Sequence, residues 1–75
     1  MDISSLISRL GGADILSAKL RLNGHPVTKH AIYKWSKRGL PDSYTTRIIL
    51  MQIVAANLAG DTKDQALDLI RAPKP

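Results

Sequence analysis

The sequence predicts an all-α domain, a compact bundle of about five short helices, and three observations carry that expectation. Apolar residues recur at helical spacing along most of the chain, no stretch alternates as a strand does, and Gly and Pro fall between the periodic segments. Seventy-five residues suffice for one domain, near the lower limit for folding without staples. Cys is absent, which excludes a disulfide framework and a thiolate metal site. A single domain is expected over residues 1–71, with 72–75 (Ala-Pro-Lys-Pro) as a flexible tail.

Each helix has its own signals. Ile3, Leu6, Ile7 and Leu10 follow the i, i+3, i+4, i+7 rule, with Asp2 as N-cap and Gly11-Gly12 as a stop. Ile15, Leu16, Ala18, Leu20 and Leu22 mark a second helix, ended by Asn23-Gly24 and then His25-Pro26, since a residue before Pro disfavours helical geometry. Thr28 can cap a third through its hydroxyl, and Gly39 with Pro41 closes it. Asp42 or Ser43 caps a fourth, running from about Tyr44 to Ala59 with Gly60 at its end. Thr62 and Gln65 have capping-box spacing for a fifth, whose apolar residues are Ala66, Leu67, Leu69 and Ile70. The second and third helices, joined by a glycine-containing turn, form a helix-turn-helix arrangement.

Charge is unevenly placed. The net charge is +5, and from Ile15 to Pro41 there is no acidic residue but there are six bases: Lys19, Arg21, Lys29, Lys34, Lys37 and Arg38. From Asp61 onward acids and bases balance. A concentrated positive stretch favours phosphates through counterion release, although charge alone serves a solvated cationic surface equally well.

The third helix tips that balance. Ile32 and Trp35 sit three apart on one face, with Ala31 beside them, and a lone Trp at this spacing belongs to the core. The other faces carry Lys29, His30, Tyr33, Lys34, Lys37 and Arg38. A helix anchored by one narrow stripe, with long cationic side chains outward, suits the DNA major groove. Thr28, Lys29 and His30 occupy its N-terminal turn, the part that reaches base edges. Thr28 serves as a cap, which leaves its methyl and backbone N–H near a phosphate. Lys29 can reach guanine O6/N7 or a phosphate, and His30 can do either more weakly. Tyr33 and Lys34 lie one turn on, where Tyr33 either meets DNA or packs against a loop. Lys37 and Arg38 at the far end suit phosphates, and Arg47, in the first turn of the fourth helix, is a further candidate for one.

In its wording this segment resembles the Cro and repressor-like helix-turn-helix regulators of temperate phages and related mobile elements. Their recognition helices read Val-Thr, two variable residues, a small residue, an aliphatic, Tyr, Lys and Trp. Here those are Val27, Thr28, Ala31, Ile32, Tyr33, Lys34 and Trp35, followed by Lys37-Arg38 and Gly39-Leu40-Pro41. Gly11-Gly12-Ala13 and Ala18-Lys19-Leu20 also look like that family's second helix. The likeness spans about residues 10 to 42 and departs in the turn, where LRLNGHP is longer than the usual short Leu-Gly connection. It implies a lambda-repressor-like fold and transcriptional repression by occupying an operator in double-stranded DNA. The setting implied is the nucleoid of a bacterial or phage-infected cell.

The fourth helix, YTTRIILMQIVAANLA, carries apolar groups round most of its circumference, so it is expected to be buried on all sides. Short neighbours cover only part of such a helix, and the remainder points to a homodimer through Leu50, Met51, Val54 and Leu58. The rival is a protein-interaction module, an antitoxin or inhibitor, that uses the same helix against another partner. Enzyme chemistry lacks support: there is no Gly-rich phosphate loop, and the six carboxylates are scattered without pairing to a His. No cofactor, metal or small-molecule ligand is expected. No apolar run reaches spanning length and the first residues do not resemble a secretory leader, so a cytoplasmic protein is expected.

Overall fold

The computed structural model describes residues 1–71, which form five helices: α1 (Ile3–Arg9), α2 (Ala13–Leu22), α3 (Lys29–Arg38), α4 (Tyr44–Asn57) and α5 (Gly60–Arg71). No strand occurs among the described residues, and the tail expected over 72–75 lies outside them. No helix among them is long and apolar enough to cross a membrane.

Side-chain caps set three of the starts. The Asp2 carboxylate accepts from the Ser5 amide at 2.8 Å, the Thr28 hydroxyl from Ala31 at 3.2 Å, and the Ser43 hydroxyl from Thr46 at 3.3 Å. That last bond decides between Asp42 and Ser43. The Ser5 backbone N–H, pointing at Asp2, holds its carboxyl below the ordinary value. Glycine is needed between α1 and α2, where Gly11 has φ +104° and a Cβ would lie 2.7 Å from Ile15 Cγ2. Gly39, at φ +93°, ends α3 while its amide still donates to the Trp35 carbonyl.

Two boundaries differ from expectation. α4 stops at Asn57, and Leu58 is already extended. α5 starts at Gly60, with the Lys63 amide reaching the Ala59 carbonyl, so Thr62 lies inside the first turn rather than capping it. A positive-φ glycine reverses the chain in very little length and lets the next helix begin at once.

α2 is the hub. It packs against α1, α3 and α4, α1 also touches α3, and α5 lies along α4. The largest fully buried side chains are Leu6 of α1, Leu16 and Leu20 of α2, Ile32 of α3, Leu50 and Val54 of α4 and Ile70 of α5. Leu40 carries the loop after α3 into the same core. Burial of this one cluster is the main favourable term for a chain this short.

Two apolar expectations are corrected. In α2 the buried face is Ala13, Leu16 and Leu20, while Ile15 is half exposed and Leu22 is 87% exposed. In α4 the buried residues Thr46, Leu50, Ile53 and Val54 form a single stripe at i, i+4, i+7, i+8, and Ala55 and Ala56 face solvent. α4 is thus an ordinary one-sided helix whose outer face is built partly from alanine. The buried Thr46 hydroxyl lies 2.7 Å from His25 Nε2, which ties the turn after α2 to α4.

Candidate nucleic-acid interface

α3 presents two unlike sides. Ile32 and Trp35 are buried, and Ala31 is half-buried beside them. Thr28, Lys29, His30, Tyr33, Lys34, Lys37 and Arg38 are all exposed, as is Ser36. Lys29, Tyr33 and Lys37 follow one another at i, i+4, i+8, and His30, Lys34 and Arg38 form a parallel row. The expected contact residues of this helix therefore share one continuous surface. No carboxylate lies on the helix, and Lys37 and Arg38 complement the negative end of its dipole.

Neighbouring groups order this surface. The rings of His30 and Tyr33 meet edge to face with centroids 6.4 Å apart. Tyr33 is 53% exposed, so it turns outward beside His30. Lys29 Nζ lies 3.7 Å from the Asp14 carboxylate at the start of α2, with both side chains more than half exposed. An ion pair this open contributes little and yields readily to a stronger anion. The start of α3 is held from α2 by Ser17, whose hydroxyl donates to the Val27 carbonyl at 2.6 Å.

Arg21 was not singled out by sequence. It is exposed on the α3 side of α2 and lines a cleft with Ser17, Pro26, Val27 and Thr28. Its four-residue spacing from Ser17 places both on the same flank of α2, and only the folded packing turns that flank toward α3.

Arg47 departs from its expected role. Its Nε donates to the Pro41 carbonyl at 3.0 Å and its Nη1 donates to the Ile70 carbonyl. The half-buried guanidinium clamps the α3–α4 loop and the C-terminal turn of α5 instead of facing a groove. The expected dimer quartet is also corrected. Leu50 and Val54 are core residues with about 1% exposure or less and so are closed to a second subunit, while Met51 and Leu58 are half-buried against that core. Leu50 and Val54 belong to the stripe that holds α4 in its own domain.

Among the described residues no group of three or more His, Asp or Glu is placed to hold a metal ion. Compared with known proteins, the chain matches no family model, no curated protein and no solved structure.

Proposed function

We propose that this protein is a sequence-specific, double-stranded DNA-binding transcriptional regulator, with α2 and α3 as a helix-turn-helix of lambda-repressor-like type and α3 as the recognition helix. The observation that carries the reading is the outer face of α3: Thr28, Lys29, His30, Tyr33, Lys34, Lys37 and Arg38 all exposed on an acid-free helix anchored by Ile32 and Trp35. Lys29 and His30 read base edges from the N-terminal turn, with Tyr33 and Lys34 beside them. Lys37 and Arg38 hold phosphates and set register, and Arg21 adds a cation on the flank that borders Thr28.

The mode of regulation is Cro-like repression in a bacterial cell, by occupying a promoter as a homodimer on a two-fold operator. One recognition helix covers too few base pairs to compete with a genome of non-specific sites, whereas two-fold pairing doubles the contacts. It also spaces the half-sites by about one helical turn, roughly 34 Å. Selection of bound sequences from a random duplex pool tests the reading. A palindromic consensus is the expected result. Recovery of no consensus, with binding governed by salt alone, would reduce the protein to a non-specific binder.

A further inference from the structure

The outer face of α3 is not uniformly cationic. Tyr33 takes one place in the row of Lys29 and Lys37, and His30 takes one in the row of Lys34 and Arg38. The two rings, three residues apart on the helix, meet edge to face at 70° with centroids 6.4 Å apart. That separation falls inside the range of roughly 4.5–7 Å over which aromatic pairs attract. Ile32 and Trp35 are buried, which leaves Tyr33, at 53%, as the one large apolar side chain that α3 exposes.

We infer that the Tyr33 ring reads thymine, covering the C5 methyl group of a T·A pair in the major groove, while His30 holds the ring in orientation. Such a contact presupposes the DNA reading proposed above and names the base that this part of the helix selects.

The chemistry of the groove leads to that base. Every base pair shows hydrogen-bonding groups there, and thymine alone adds a methyl. A ring face is a poor partner for those polar groups and gains most where it removes apolar area from water. Stacking on a base is closed to it, since sequence readers that stack do so on unpaired, splayed-out bases.

Two other uses of Tyr33 fit less well. Its hydroxyl could meet a phosphate, but Lys34, Lys37 and Arg38 on the same helix already bring full charges to that task. Packing against a loop would bury the ring, and more than half of it is open. Position agrees with base reading. Tyr33 lies four residues past Lys29, about 6 Å along the helix axis, so the thymine falls within about two base pairs of the one that Lys29 meets.

Binding of the full chain to a selected operator, with each thymine in turn replaced by uracil, tests the contact. Uracil keeps the hydrogen-bonding groups of thymine and lacks only the methyl. One such replacement in a half-site is expected to weaken binding about fourfold, the worth of one buried methylene-sized group, and the others to change it little. A cytosine placed at the same position should bind about fourfold more tightly when it carries a C5 methyl, although its other edge groups stay wrong. Tyr33→Phe keeps the ring and should keep both effects. Tyr33→Ser, at an exposed position, should melt as wild type does and lose both. Equal binding of thymine and uracil at every position, a selected consensus with no thymine in the half-site, a Tyr33→Phe protein without the preference, or a Tyr33→Ser protein that retains it would each overturn the inference and leave the DNA reading intact. Failure to select any duplex would remove the DNA reading and this contact with it.

Discussion

The Ser17 hydroxyl donates to the Val27 carbonyl at 2.6 Å, joining the middle of α2 to the residue before the α3 cap. Through this bond the orientation of α3 is set by α2 and not only by the turn between them. Ser17→Ala is expected to cost about 0.5–1.5 kcal/mol of stability, the ordinary net value of one such bond. Loss of specific DNA affinity beyond loss of non-specific affinity should accompany it, because base contacts depend on helix position more than phosphate contacts do. Urea melts and binding to matched and unrelated duplexes measure both.

Arg47 is assigned to structure, and its removal should read accordingly. Arg47→Met keeps the aliphatic stem but leaves the Pro41 and Ile70 carbonyls without their donor. About 1.5–3 kcal/mol of stability is expected to be lost, the range for hydrogen bonds to a charged group. The salt slope of DNA binding should not change. A fall of one unit in that slope with intact stability would return Arg47 to the phosphate contacts.

Asp2 links α1 to pH. Its folded-state carboxyl titrates below the ordinary 3.8, chiefly because the charged form accepts the Ser5 amide. A depressed folded value means that the stabilisation is present above the unfolded value and is lost as pH falls through the folded one. Asp2→Asn retains a good cap, so helix content at neutral pH should persist. The acid limb of the stability curve should flatten, which melts at a series of pH values would detect.

Within α3 the buried and exposed sides should separate cleanly. Trp35→Ala is expected to cost about 3–5 kcal/mol, enough to unfold much of so small a domain. Lys29→Ala should fold normally and lose about 1–3 kcal/mol of discrimination at one or two base pairs per half-site. Lys37→Ala and Arg38→Ala should weaken binding to all sequences alike and lower the salt slope by about one unit each. Thermal melts together with titrations of single-base duplex variants distinguish these classes.

Local signals carried much of the fold. Asp2, Thr28 and Ser43 are short-range caps whose partners lie three residues away, so the first two were visible in sequence and the third was narrowed to Asp42 or Ser43. Ile32 and Trp35, the apolar pair of a polar helix, admitted one phase only. α2 was harder, because Ile15, Leu16, Ala18, Leu20 and Leu22 occupy several phases, and only packing against α1, α3 and α4 decides that Leu16 and Leu20 go inward. The outer face of α4 escaped for a related reason: Ala55 and Ala56 read as apolar yet face water at little cost. Arg47 was beyond local reading, since its Ile70 acceptor lies 23 residues away. The exposed set on α3 could be anticipated, but Arg21 acquires its position only when α2 and α3 are folded together.

The central claim, that the outer face of α3 meets DNA, is tested most directly by following backbone amide NMR shifts as a selected duplex is added. The largest changes are expected at Thr28 through Lys34, with smaller ones at Lys37, Arg38 and Arg21, and almost none along the outer face of α5. Changes centred on α4 and α5, with α3 unmoved, would contradict the account.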